Sequence, residues 1–274
     1  MKMKKISLAL LPFITVLVMG CGSDGDDDAT TSVTEVDEAD DTIGTSDTDG
    51  ENGNLAIFTV QLTNLTFGQP LSPAAIILHE SGFNTFIDGE SASLGLEQLA
   101  EAGDPAELIF EALAAVEYLG SVTIEAATPP KSVSDISTLS IPLLDVEDLR
   151  ISFTTMLVDT NDAFTALNAA NISNMTVGQS MTFTTPTWDA GTEANTETAN
   201  TMPGPAASAA GGGGENAGFD AARDDLFDLV HFHTGVVTNA NASDGGKEGL
   251  NTSVLTEADR WDNPTAQLIV TRTK

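Results

Sequence analysis

Hydrophobic and polar residues alternate in several short stretches of the chain, which is the pattern of strands that bury one face. The first is LAIFTVQLTNL, where Phe58, Val60 and Leu62 alternate with threonine and glutamine. The same alternation recurs in five further stretches, and two shorter apolar runs add candidate strands: 121–126, 149–158, 180–185, 227–233 and 266–272, then 74–78 and 137–144. Turn-forming residues separate these stretches, so the pattern predicts a mainly β fold, an antiparallel β-sandwich.

One region departs from the period of two and predicts helices. Asp104 suits an N-cap and Pro105 suits the first helical turn, which places a helix at 105–118. The apolar residues of this segment recur at helical spacing and are expected to face the core: Ile109, Leu113 and Val116. A shorter helix is expected near 94–102. The sandwich is therefore predicted to carry a small helical insertion at about 94–118, packed on one of its ends.

The N-terminus has the features of a bacterial export signal. Three lysines precede an apolar run at 6–19, which is shorter than the roughly 20 residues that span a bilayer. Val18-Met19-Gly20-Cys21 resembles a lipobox, in which the cysteine is diacylated after cleavage of residues 1–20. The expected product is a lipoprotein of the bacterial cell envelope, anchored through Cys21 to the outer membrane and facing the periplasm or the cell surface.

Charge and composition divide the rest of the chain. Residues 24–53 contain 12 acidic residues and no Lys or Arg, so 21–53 is predicted to be a lipidated cysteine followed by a disordered acidic linker. The remaining segment, 54–274, has 29 acidic and 7 basic residues and is expected to form one domain. This charge argues against nucleic acid as a partner. The Gly/Ala-rich stretch 203–218 predicts a flexible loop.

The stretch DAGTEAN brings two acidic residues together after a predicted strand. Asp189 and Glu193 lie four residues apart on a turn that contains Gly191. Ca²⁺ takes six to eight oxygen ligands, many of them carboxylates, and the loops of a sandwich meet at its ends. On the residues alone, a solvated loop and a cation site both remain open.

Several segments resemble one family in the same order along the chain. The most specific are TNDAF at 160–164 and DAGTE at 189–193, and weaker ones are NLT at 64–66, GQPLSP at 68–73 and WDNP at 261–264. Together they resemble the spondin N-terminal domain in its bacterial form, over about residues 55–272. The resemblance implies a C2-like antiparallel β-sandwich without catalytic activity. It implies a role in adhesion or in recognition of an extracellular protein or glycan.

The same resemblance implies a Ca²⁺ site and its ligands. Asp162 corresponds to the family's Asp after the strand at 149–158, Asp189 opens DAGTE, and Glu193 stands where animal members have Asp. The family takes a further carboxylate from the preceding strand. Its position is occupied by Leu143 here; Asp145 and Glu147 are the nearest acids, and Asp145 is taken as the substitute.

An alternative chemistry rests on the histidines. His231 and His233 are two residues apart on the predicted strand 227–233, so they would share a face and could bind Zn or Cu with His79 as a third ligand. Core or rim histidines are the simpler interpretation, because Phe227 and Leu229 would lie on that same face. The sequence contains no HExxH, GxSxG or CxxC motif, so no enzyme is predicted, although a glycosidase carboxylate pair stays open.

Overall fold

The computed structural model describes residues 54–212, 218–240 and 250–274. The strands in these ranges form two antiparallel sheets that share one core. The four-stranded sheet has the order β4 (Ser137–Pro142), β1 (Leu55–Asn64), β10 (Ala266–Arg272) and β7 (Ser180–Thr185). The six-stranded sheet has the order β3 (Tyr118–Ile124), β2 (Ala74–His79), β5 (Arg150–Met156), β6 (Ala163–Asn171), β8 (Thr187–Asp189) and β9 (His231–Phe232). This architecture confirms the predicted mainly β, antiparallel sandwich.

Alternating burial builds the core between the sheets. Every second residue of β1 is buried, and its register places Val60 opposite Val270 and Leu62 opposite Leu268 of β10. Since successive side chains of a strand point to opposite faces, these residues all face the second sheet. The inner residues of that sheet complete the core, and they include Ile76, Leu78, Ile151 and Phe153.

Two helices cover the outer face of the six-stranded sheet. They are α1 (Leu94–Ala102) and α2 (Ala106–Leu113), and their buried leucines pack with Ala75 of β2 and Phe164 of β6. The central strand β2 is therefore buried on both faces, as its unbroken apolar sequence requires. The insertion was expected at one end of the sandwich, and it lies on a face instead.

Helix α2 is shorter than predicted, and it buries different residues. It ends at Leu113, and the chain enters β3 at Tyr118. Its buried residues are Leu108 and Ala112, whereas Leu113 and Val116 of the predicted stripe are exposed. The assignment of the stripe to the core was therefore wrong for these two residues, whereas Ile109 is partly buried against the helix–sheet cluster. Asp104 does accept a hydrogen bond near the helix start, from the backbone N–H of Ala106 at 2.9 Å.

Three strand assignments also differ from prediction. The strands β6 and β8 were not predicted, because most of β6 is buried without alternation and β8 has only three residues. The strand expected at 227–233 is limited to β9, since Asp228 has a φ of 43° and Phe227 is exposed. A short helix, α3 (Pro205–Ala209), lies within the predicted loop 203–218, of which residues 213–217 are outside the described ranges.

The predicted signal, the lipidated Cys21 and the acidic linker all precede residue 54, so they lie outside the described residues. Among the helices of the described ranges, none has both the length and the apolar character needed to cross a membrane.

Candidate metal site

Two loops meet at the end of the sandwich where β5 and β8 finish. The first connects β5 to β6 at 157–162, and the second follows β8 at 190–197. Because β6 and β8 are antiparallel and Ala163 pairs with Asp189, the strands bring Asp162 and Asp189 close together. The backbone N–H of Ala190 donates to the carbonyl of Asp162 at 3.2 Å, which joins the two loops directly.

Asp162 is fully buried between these loops. Its Oδ2 accepts the backbone N–H of Thr192 at 2.7 Å and that of Glu193 at 3.1 Å, and the Thr192 hydroxyl lies 3.2 Å away. Its Oδ1 is also buried and has no hydrogen-bond partner. Loss of solvent raises the pKa of Asp162, and the nearby Asp189 carboxylate raises it further.

Asp189 shapes the turn that follows β8. Its Oδ1 accepts the backbone N–H of Gly191 at 2.8 Å, and its Oδ2 accepts the side-chain amide of Asn195 at 2.7 Å. Gly191 has a φ of 70°, and a Cβ at this position would lie 2.5 Å from the backbone N and O of Leu229. The DAGTE turn therefore requires glycine for both its conformation and its packing.

Glu193 and Glu101 form the second carboxylate pair of the site. Glu193 is almost completely buried, and burial raises its pKa to about 9, with further contributions from the charges of Glu101 and Asp162. Glu101 belongs to α1, and burial raises its pKa to about 7. Its Oε2 accepts the backbone N–H of Asp220 at 2.9 Å, while its Oε1 is buried without a partner.

A cavity of about 50 Å³ adjoins Glu193. Its lining includes Asn161, Glu193, Asp220 and Asp224, so three carboxylates border it. Asp224 also accepts the backbone N–H of Ala194 at 2.8 Å, which ties the 218–225 segment to the DAGTE loop. The volume is sufficient for one ion or for one or two water molecules.

Glu101, Asp220 and Asp224 were not among the predicted site residues. Glu101 carries the one signal that the sequence offered, since it is an acid placed among the buried residues Leu99 and Ala100 of α1. The positions of Asp220 and Asp224 depend on how the 218–225 segment folds back, and no local pattern indicates this.

Arginine side chains do not neutralise these acids within the described ranges. The arginine nearest in sequence, Arg223, binds Glu97 and Asp228 instead, each at 2.6 Å. In the same residues, no three His, Cys, Asp or Glu side chains converge as a ready-made metal-ligand group. A bound cation would therefore need backbone, amide or water oxygens beside the carboxylates.

Two predicted ligands lie at the opposite end of the sandwich. Asp145 follows β4 and precedes β5, whereas Asp162 follows β5, so the whole length of β5 separates them. His79 ends β2 opposite Arg150, which is also the distant end of β5. Its ring is buried and lies 2.9 Å from the Ser152 hydroxyl through Nε2. The structure therefore joins neither Asp145 to the other acids nor His79 to the other histidines.

His231 and His233 do approach the site, and both lie beside Asp189. The Nε2 atom of each ring is 3.8 Å from Asp189 Oδ2. Nδ1 of His231 donates to the carbonyl of Leu229 at 2.8 Å, which leaves a lone pair on Nε2 when the ring is neutral. Nδ1 of His233 accepts the backbone N–H of Gly235, so its Nε2 carries the proton. Burial lowers the pKa of His233.

Comparison with known proteins adds no assignment. A scan against protein-family models finds no family that matches the chain. A search of curated proteins finds no significant match.

Proposed function

We propose that this chain is a non-catalytic, calcium-binding lipoprotein of the bacterial envelope that recognises a ligand outside the membrane. The Ca²⁺ ion binds where the 157–162 and 190–197 loops meet. Asp162, Asp189 and Glu193 are the acids predicted from the sequence, and Glu101 joins them from α1. The ion holds the loops in one arrangement and so defines the surface that a partner would meet.

The observation that carries this proposal is the environment of Asp162. Its carboxyl group is fully buried, one oxygen has no partner, and burial, followed by the charge of Asp189, raises its pKa. A buried carboxylate is costly unless it is paired or coordinates a metal. Glu101 repeats the same feature at its Oε1. A cation supplies the missing charge and partner for both.

The chemistry of the donors favours Ca²⁺ over softer metals. Carboxylates from three elements, the amide of Asn161 and the carbonyls of two loops are all oxygen donors, which hard cations prefer. The ion takes water and backbone oxygens for the remaining positions. Binding of the ion would offset the desolvation free energy that burial of Asp162 and Glu193 as charged groups costs.

The envelope location and the recognition role are supported by the sequence. The basic and apolar N-terminus, the lipobox-like Cys21 and the acidic linker would place the domain outside the bilayer on a tether. The resemblance to spondin N-terminal domains supports adhesion or ligand recognition rather than catalysis.

A thermal melt of the full chain in chelator and then in about 2 mM Ca²⁺ tests the ion site. A ligand at 100 times its Kd adds about 2.7 kcal/mol, which raises the Tm by several degrees. Asp189→Asn should abolish this increase, whereas Asp145→Asn, at the far end of β5, should preserve it. A cooperative melt that Ca²⁺ leaves unchanged would contradict the proposal.

A transition-metal site at His231 and His233 is the second candidate. It is favoured by the equal approach of both Nε2 atoms to Asp189 Oδ2. Only His231 presents a lone pair there, so His233 would have to exchange its Gly235 hydrogen bond for the metal. Zn or Cu retained through purification and lost in His231→Ala would support this function.

A further inference from the structure

A groove outside the acidic cluster is a second candidate site of the described residues. It has a volume of about 470 Å³, within the usual range for small-molecule sites. One wall is the segment that follows β1 and includes Phe67, and the other is the turn 257–262 that precedes β10. None of these residues belongs to the proposed ion site.

Fixed backbone contacts hold the two walls in place. A Cβ on Gly68 would lie 2.2 Å from the carbonyl oxygen of Ala258, so this close approach depends on glycine. The side-chain amide of Gln69, itself fully buried, donates to the carbonyls of Asp259 at 2.9 Å and Asp159 at 3.1 Å. The groove is therefore part of the folded framework.

An aromatic residue stands on each wall. Phe67 is 63% exposed, so much of its ring surface is available for contact. The ammonium group of Lys131 lies 3.5 Å from the centre of its ring. Trp261, on the opposite wall, is half-buried, and its ring packs against that of His233 with centroids 5.4 Å apart.

The charged groups of the groove balance when Lys131, which adjoins it at Phe67, is included. Glu257 and Asp262 contribute two carboxylates, and Arg260 with the adjoining Lys131 contributes two positive charges. Glu257 is held by the Thr238 hydroxyl at 2.5 Å and by Arg260 at 3.3 Å. The whole chain has a net charge of −31, so the groove differs from most of the protein in its local charge. This difference favours a neutral ligand.

We propose that this groove binds a neutral saccharide. The C–H faces of sugar rings stack on aromatic side chains, and Phe67 and Trp261 offer such surfaces. Sugar hydroxyls both donate and accept, which suits carboxylates and a guanidinium side by side. An anionic polymer would be repelled by the surrounding charge, and a cationic peptide would meet Arg260 and the adjoining Lys131 beside the two carboxylates.

A series of side-chain contacts links the groove to the proposed ion site. Asp189 accepts from the amide of Asn195, and the carbonyl of that amide lies 3.3 Å from Nε2 of His233. His233 in turn packs on Trp261. The saccharide proposal deepens the proposed function by naming its ligand class, and only this linkage to the ion rests on the calcium site.

Calorimetric titration of the full chain with cellotetraose, mannotriose and chitotriose at up to about 10 mM tests the groove. At least one should bind with a Kd of 1 mM or tighter, on the order of −4 kcal/mol. Phe67→Ala and Asp262→Asn should each weaken binding about tenfold. Phe110→Ala is the matched control, because Phe110 is 65% exposed on α2 and does not line the groove.

Binding of no sugar, or equal binding by the Phe67→Ala and wild-type proteins, would overturn the proposal. The titrations are run in chelator and in Ca²⁺, so that the two proposals fail separately. Sugar binding without any calcium effect on the Tm removes the ion site alone. A calcium-induced rise in Tm without sugar binding removes the groove alone.

Discussion

The backbone N–H of Glu193 donates to Oδ2 of Asp162 at 3.1 Å, although 31 residues separate them. One carboxylate oxygen of Asp162 therefore orients the loop that carries Glu193, while its other oxygen stays buried without a partner. The backbone N–H groups that donate to Oδ2 require only an oxygen acceptor at this position. Cation binding also requires the negative charge of the ionised carboxylate. These two roles can be separated by substitution.

Asp162→Asn should retain the fold and lose the calcium response. The amide oxygen can still accept the N–H groups of Thr192 and Glu193, and the buried charge disappears. In chelator, the variant should be as stable as wild type or more stable by about 1 kcal/mol, and Ca²⁺ should no longer raise its Tm. Urea denaturation in chelator and in Ca²⁺ measures both quantities.

Asp162→Ala supplies the comparison, because it removes the acceptor as well as the charge. Two backbone donors are then left unsatisfied, which costs about 2–4 kcal/mol. If Asp162→Asn were as destabilising as Asp162→Ala, the ionised carboxylate would be needed by the fold itself.

Stability in chelator should fall as the pH rises. Burial raises the pKa of Glu193 to about 9 and that of Glu101 to about 7, above the value of about 4.3 in an unfolded chain. A group whose folded pKa is raised stabilises the fold while protonated, and this contribution is complete below about pH 4 and lost through pH 7 to 9. Urea midpoints at about pH 5, 7 and 9 should decrease in that order.

Calcium binding should oppose this decrease in stability. Metal binding requires deprotonated carboxylates, so the increase in stability caused by Ca²⁺ should grow between about pH 5 and pH 9. The matched variant is Glu193→Gln, which should flatten the pH dependence in chelator and reduce the calcium effect. Midpoints that rise with pH in chelator would contradict the assigned shift.

The sequence predicted the sandwich, and it predicted that Asp162 and Asp189 lie close together, for identifiable reasons. Strands such as β1 and β10 have one solvent-facing side, so their alternation is visible in the sequence. Asp162 immediately precedes β6 and Asp189 ends β8; these strands are neighbours, and sandwich loops cluster at the ends. The strands that were missed are either buried on both sides or too short to show a period.

The rest of the site depends on contacts between distant segments. Glu101 enters from α1 because the helices cover a sheet face, and Asp220 is positioned by a hydrogen bond to Glu101 itself. Asp145 is only 17 residues from Asp162, yet the intervening β5 carries it to the other end. Proximity along the chain is a poor guide where a strand runs the length of the sheet.

Gly191→Ala should disrupt the DAGTE turn. Alanine at a φ of 70° costs about 1–2 kcal/mol, and its Cβ would also collide with the backbone of Leu229. We expect a loss of about 3 kcal/mol or more and a weaker calcium effect on the Tm. Gly178→Ala is the control, because Gly178 has a φ of 86° with open space around it, so it should lose only about 1 kcal/mol. Equal losses in denaturation would mean that the Leu229 contact is unimportant.

Thr165→Val should destabilise the join between the sheets near the site. The Thr165 hydroxyl, on β6, lies 2.7 Å from that of Thr185 on β7 and 2.9 Å from that of Thr265, and all three are buried. Valine has nearly the same shape but lacks the hydroxyl group. The Thr185 and Thr265 hydroxyls therefore lose a hydrogen-bond partner, which costs about 1–3 kcal/mol. Thr182→Val, on the exposed face of β7, should change stability by less than about 0.5 kcal/mol. Urea midpoints at an unchanged m-value measure both, and a neutral Thr165→Val would show that the hydroxyl contacts do not stabilise the sandwich.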